Sequence, residues 1–240
     1  MKRNLLYSAM TLLAGSLLAA DSSPADAVKN AAKNLAGKDN YSWKTTVAVP
    51  EDSQFKPGPT EGKTEKGGYT HNTKTVGDKQ IESVMKGEKR ATKTQDGWQS
   101  AEEMAAAGGA GGAGGRGRGR GGMFGNFQAP AQQAEELAGK VKELKSADGV
   151  YSGDLTEEGA KSLLAFGGRG GGNGPEISGA KGSVKFWVKD GALTKYEFKV
   201  KGSISFNGND REVDRTTTVE IKDVGKTKVE VPEEAKKKLS

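Results

Sequence analysis

The chain has 240 residues, of which 36 are glycine and only 33% are hydrophobic, and it carries a formal charge of +6 from 37 basic and 31 acidic side chains. With so much glycine, part of the chain has too little to bury, so a core must come from short, well-patterned segments. The basic excess is confined to Arg116, Arg118, Arg120 and Arg169 in two glycine tracts and to Lys236, Lys237 and Lys238 near the end, which excludes a basic folded surface shaped for nucleic acid; the absence of cysteine excludes disulfides, thiolate metal sites and thiol nucleophiles.

Lys2 and Arg3 precede an apolar run from Leu5 to Leu18. Such a run matches the core of a secretion signal, about 7–15 residues, and falls short of the about 20 needed to span a bilayer. Residues 1–20 are expected to be a signal peptide, and the mature chain is expected to be exported, periplasmic or extracellular, with no transmembrane span after cleavage. Leu18-Ala19-Ala20 and Ala25-Asp26-Ala27 both offer small residues for the cut. Ser23-Pro24-Ala25-Asp26 decides for Ala20, because it reads as a helix start, with Ser23 as N-cap and Pro24 at the first helical position, which a later cut would discard. Val28, Ala31, Ala32 and Leu35 give that helix one apolar stripe, and Gly37 ends it.

Tyr41, Trp43, Thr45, Val47 and Val49 then alternate with Ser42, Lys44, Thr46 and Ala48 up to Pro50, the pattern of a strand with one large face. Residues 51–66 are expected to be a polar loop. Strands follow around Tyr69–Thr75, Gln80–Lys86 and Glu88–Thr94, divided by the turn signals Gly77-Asp78, Gly87 and Asp96-Gly97 as in a meander of hairpins. Ala105–Gly122 is low in complexity and has nothing to bury, so the expected organisation is a single domain over 21–240 interrupted by a disordered Gly/Arg-rich insertion at about 105–130. Beyond it, Ala134, Leu137, Val141 and Leu144 predict a helix over Ala131–Lys145, and Thr156 with Glu157 and Glu158 predicts the start of another over Leu155–Phe166, ahead of the second glycine tract.

The last third carries the strongest pattern. Val184, Phe186 and Val188 alternate with polar residues and Trp187; after Asp190-Gly191, the residues Tyr196, Phe198, Val200, Ile204 and Phe206 share one parity while lysines, Glu197 and serines take the other. That is a long strand with a wet and a buried face. Asn207-Gly208-Asn209-Asp210 turns the chain into a returning strand with Val213, Thr217, Val219 and Ile221, and Gly225 precedes an expected short strand at Val229 and Val231 and a helical turn from Pro232. The fold class is therefore α+β, mainly antiparallel β.

Two stretches, Gly182-Ser183-Val184-Lys185-Phe186-Trp187-Val188-Lys189-Asp190-Gly191 and Val224-Gly225 through Val231-Pro232-Glu233-Glu234-Ala235, together with the strand opening Tyr41-Ser42-Trp43 and the order of elements, resemble the LolA-like superfamily of periplasmic lipoprotein carriers and secreted lipid-binding lipoproteins. The likeness covers roughly residues 24–100 and 130–240. It implies a curved sheet, or incomplete barrel, with a few covering helices over an apolar concave face that accepts lipid or lipoprotein acyl chains. On that reading Trp43, Val47, Tyr196, Phe198, Val200 and Phe206 lie on the apolar side as ligand-binding candidates. Parity alone does not separate an open cavity from a filled core, and for any one of these residues the filled core is the favoured reading. The chain departs from the family in lacking the lipid-modified cysteine of the anchored members and in having the glycine tracts.

No constellation for catalysis emerges, and no cofactor or metal is expected. His71 is the single histidine, which leaves no material for a catalytic triad or a histidine metal cluster, and it is expected at an exposed strand or loop. The pairs Glu102-Glu103, Glu135-Glu136, Glu157-Glu158 and Glu233-Glu234 are expected at helix starts, where negative charge complements the helix dipole. Gly117-x-Gly119-x-x-Gly122 follows an Ala/Gly tract rather than a strand and is not a dinucleotide fingerprint. Arg116, Arg118 and Arg120, with Phe124 and Phe127 nearby, resemble RNA-binding segments, but an exported chain rarely meets RNA. The tract is read first as a flexible linker, with contact between its arginines and an anionic envelope surface as the alternative. Two functions remain: a non-enzymatic carrier of an apolar or amphiphilic ligand, and a structural or interaction module of the cell envelope with a solid core.

Overall fold

The computed structural model describes residues 23–53, 56–109, 128–165, 176–206 and 209–240. The predicted signal peptide and Arg116, Arg118 and Arg120 lie outside them, as does the turn at Asn207-Gly208.

Helix α1 (Pro24–Ala36) begins as its sequence dictates. The Ser23 hydroxyl accepts from the Asp26 amide at 3.2 Å and donates to the Asp26 carboxylate at 2.7 Å, and Val28, Ala31, Ala32 and Leu35 are the buried stripe. Strands β1 (Asn40–Ala48), β2 (Thr60–Glu65), β3 (Thr70–Val76), β4 (Lys79–Lys86), β5 (Lys89–Thr94) and β6 (Gly97–Ser100) form a meander that leads into α2 (Ala101–Gly109). Then come α3 (Pro130–Gly139), β7 (Lys145–Ala147), β8 (Val150–Asp154), α4 (Glu157–Leu164), β9 (Glu176–Lys189), β10 (Ala192–Phe206), β11 (Asn209–Lys222) and α5 (Glu233–Lys237). Among the described residues the strands make one open antiparallel sheet in the order β6-β5-β4-β3-β2-β1-β11-β10-β9-β8-β7. The second meander runs back toward the first, so β11 closes against β1 at the centre while β6 and β7 remain separate edges. Asp148-Gly149 and Asp190-Gly191, each with both residues at positive φ, make the tight primed turns of the β7–β8 and β9–β10 hairpins. Register shifts at Leu193/Lys195 and Lys201/Ser203 interrupt the β9–β10 ladder, and bulges of this kind bend a sheet toward an incomplete barrel.

Four expectations are corrected. Part of the expected polar loop over 51–66 is strand β2, which shows little hydrophobic alternation because it is held by backbone pairing to β1 and β3 on either side. The helix expected to reach Lys145 stops at Gly139, after which Val141 bridges to Leu155 and Leu144 is buried beside the sheet. Ala105–Gly109, the start of the low-complexity stretch, continues α2. No strand forms at Val229 and Val231; that segment is a strap whose Val231 packs against Val84, Ala91 and Trp98.

Two hydrophobic cores lie on opposite faces. The larger collects Tyr41, Trp43, Val184, Phe186, Tyr196, Phe198, Val200, Val219 and Ile221 from one face beneath α1, α3 and α4. The smaller collects Val84, Ala91 and Trp98 from the other face of the first meander beneath Ala235 and Leu239. Each large side chain so buried contributes about 1.5–3 kcal/mol, which places the stability centre on β9–β11. Helix α4 is fixed by Thr156, whose hydroxyl accepts from the Gly159 amide at 2.9 Å. Thr156→Ala is expected to cost about 1 kcal/mol, read as a shift in the urea midpoint at unchanged slope.

Candidate functional site

Residues paired across neighbouring strands share a face, so the register lays out the inner face row by row. One row runs Thr45, Val219, Tyr196, Phe186 and Tyr151; the next runs Val47, Thr217, Phe198, Val184 and Gly153; Trp43 stands beside Ile221, and Val200 between Arg215 and Gly182. Trp43, Val47, Tyr196, Phe198 and Val200 are thus brought onto one face. Phe206 ends β10 opposite Asn209, and its side chain lies outside the described residues.

This face is closed. Tyr196 and Val200 are 0% exposed and Phe198 5%, whereas Val47, near the end of β1, is half-buried. The Tyr196 ring lies 6.3 Å from that of Phe186, and its hydroxyl donates to Oε1 of Gln133 on α3 at 2.7 Å. Burial, with Tyr41 close by, holds the Tyr196 phenol well above its ordinary range. Neither Gln133 nor the covering residues Val28, Leu35, Leu137 and Leu164 could be assigned to this site from sequence alone, because helical spacing shows a stripe but not the strand it meets.

Trp43 marks a divide. Its indole lies over Gly62, and its Nε1 donates to the Thr64 hydroxyl at 3.2 Å, which also accepts from Thr70 at 3.3 Å. Burial pushes the Tyr41 phenol up, partly offset by its hydrogen bonds to the Ala131 backbone and to Thr64. Beyond Gly62 the same row continues as Asn72, Ser83 and Thr92, all buried, with the two hydroxyls of Ser83 and Thr92 3.2 Å apart. The inner face is therefore apolar over β8–β11 and lined with hydroxyls and an amide over β3–β5. Arg215 is a charged residue on the buried parity: its Nη2 donates to the Leu163 carbonyl at 2.5 Å, in the last turn of α4 where a cation is favoured, and burial lowers its pKa. Its parity was legible; its charge argued against an inward position.

On the outer face a cleft of about 580 Å³ is lined by Lys142, Lys181, Lys199 and Lys201 and by Asp154, Glu157 and Asp214. Lys199 and Lys201 flank the Asp214 carboxylate at 3.4 and 3.7 Å, and Glu157 pairs with Lys161 outside the cleft lining. Among the described residues no group of His, Asp and Glu is arranged to hold a metal ion. His71 is half-buried on β3, with both ring nitrogens engaged. Glu102-Glu103, Glu157-Glu158 and Glu233-Glu234 stand in first helical turns, whereas Glu135-Glu136 sit later in α3 and face Lys33 and Lys140 at 3.7 and 4.0 Å.

No protein-family model matches the sequence, and no curated protein matches it. Among solved structures the chain is similar to the lipoprotein LppX of Mycobacterium tuberculosis, with 11% identity, 87% of this chain and 98% of that chain covered, and a TM-score of 0.46. It is similar to LprF of Mycobacterium bovis, with 13% identity, coverage of 89% and 100%, and a TM-score of 0.44. It is also similar to a LolA superfamily protein of Nitrosomonas europaea, with 8% identity, coverage of 87% and 96%, and a TM-score of 0.36.

Proposed function

We propose that this chain is an exported, non-enzymatic binding protein that holds an apolar or amphiphilic, lipid-like ligand against the inner face of its open sheet, under α1, α3 and α4. The observation that carries the reading is the composition of that face: a continuous aromatic and aliphatic surface across β8–β11 and β1, covered by short helices rather than by a second sheet. The covering surface combines small residues, with Ala31, Ala32, Ala131, Ala134, Ala138 and Ala160 buried, and a few large ones, Val28, Leu35, Leu137 and Leu164. Entry of a ligand then means lifting these helices from Tyr196, Phe198 and Val200. The positive start and apolar run of residues 2–18 support export, and no helix among the described residues is long and apolar enough to cross a membrane.

A second reading, a structural module of the envelope that meets anionic partners through Arg116, Arg118 and Arg120, is favoured by the complete burial of Tyr196 and Phe186. Native mass spectrometry of the chain purified from its own envelope, followed by solvent extraction, separates the two. A stoichiometric lipid-like molecule is the expected result; a chain that is empty on repeated preparation overturns the carrier reading. Under the second reading, deletion of residues 108–122 abolishes a salt-sensitive envelope association.

A further inference from the structure

Asn72, Ser83 and Thr92 share the inner face of β3, β4 and β5, so the three side chains fall within two strand spacings of about 4.8 Å each. Asn72 is only 9% exposed, yet among the described residues nothing hydrogen-bonds its side-chain amide. A polar group so placed costs stability until something satisfies it. No fully enclosed side-chain nitrogen or oxygen among the described residues lacks a partner, so the Asn72 amide opens onto accessible space and is not sealed inside the protein. Ser83 and Thr92 add a second unmet donor. Their hydroxyls bond each other at 3.2 Å, and whichever one donates, the proton of the other has no acceptor among the described residues.

Charge on this half of the face is one-sided. Half-buried Lys74, two residues along β3 from Asn72, and half-buried Arg90, two residues before Thr92 on β5, take the inner parity. Among the described residues no carboxylate pairs with Lys74. The acidic residues of these strands, Glu61, Glu65 and Glu82, all take the opposite parity. A head group that fits must therefore bring negative charge, and it must also bring a donor for the Asn72 oxygen. A bare carboxylate has no such donor, whereas a phosphate ester carrying free hydroxyls supplies both.

We propose that the polar half of the inner face is a head-group subsite for an anionic phospholipid with a hydroxylated head. Asn72 and the Ser83–Thr92 pair hydrogen-bond the phosphate and hydroxyls, and Lys74 matches the charge. The acyl chains lie past Trp43, toward Tyr196 and Phe198. This rests on the carrier reading above and adds to it the class of ligand and the direction in which it lies.

The test takes the full chain stripped of bound lipid and mixes it with vesicles of phosphatidylglycerol or of phosphatidylcholine with the same acyl chains, reading stoichiometric complexes by native mass spectrometry. Phosphatidylglycerol is expected to bind roughly three- to tenfold more tightly, the worth of one added hydrogen bond or ion contact. Asn72→Leu and Lys74→Gln are each expected to bring it down to the level of phosphatidylcholine. Urea unfolding of the lipid-free chain gives a second readout. Because the Asn72 amide has no internal partner to lose, Asn72→Leu is expected to keep or raise the midpoint, whereas loss of a merely structural amide would lower it. Equal binding of the two lipids, a preference that survives in both variants, or a lowered midpoint in Asn72→Leu overturns the head-group subsite and leaves the carrier reading standing. Uptake of neither lipid overturns both.

Discussion

Tyr196→Ala is expected to lower the unfolding free energy by about 3–5 kcal/mol, a large part of the roughly 5–15 kcal/mol that holds an ordinary domain together. The ring is fully buried among β9, β10 and the covering helices, so its removal loses apolar burial, leaves a void beside Phe186 and strips Gln133 of its donor. Tyr196→Phe isolates the last contribution and is expected to cost about 1 kcal/mol. Urea unfolding of the two variants, compared at equal slope, gives both numbers. The result bears on function as well: a loss under about 1 kcal/mol for the alanine variant would mean that the inner face is loosely filled in solution, whereas the full loss measures what a ligand must displace.

Gly62→Ala is expected to cost about 2–4 kcal/mol, although it adds one methyl group to a polar strand. An ideal Cβ at Gly62 would stand 2.2 Å from Cζ2 and 2.4 Å from Cε2 of Trp43, so the indole must leave its seat across β2 and give up its hydrogen bond to Thr64. Overpacking accounts for about 1–3 kcal/mol and the lost bond for about 1 kcal/mol. In a Trp43→Leu background the same substitution is expected to cost much less, because the two sites are coupled through direct contact. A double-mutant cycle by urea unfolding, with the tryptophan emission maximum followed in parallel, checks both the magnitude and the coupling.

How much of this was legible beforehand varied with the strength of local patterning. The cap at Ser23, the stripe of α1, the turns at Gly77, Gly87 and Asp190-Gly191 and the faces of β1 and β10 could be read directly, because each depends on residues a few positions apart. Strand β2 could not be read, since Thr60–Glu65 has little alternation and owes its conformation to partners on both sides. The strap over Val84, Ala91 and Trp98 was also hidden: Val229 and Val231 have the composition of a strand, but the sheet there offers the strap a face rather than an edge. Helix α3 was read too long because Val141 and Leu144 continue a helical spacing beyond Gly139, although Val141 spends its backbone pairing on Leu155.

Sequence by itself determined which residues alternate, where the turns fall, and that Trp43, Tyr196, Phe198 and Val200 must avoid water, because side-chain direction in a strand follows from parity and hydrophobicity alone. Tertiary structure alone decided that β1 and β11 meet at the centre of one sheet, that two cores occupy its opposite faces, and that the inner face is filled by helices in the described state. The reason is physical: parity says which side of a strand is dry, but what dries it depends on elements far along the chain, whose docking is set by the combined shape of both surfaces and not by the pattern of either one.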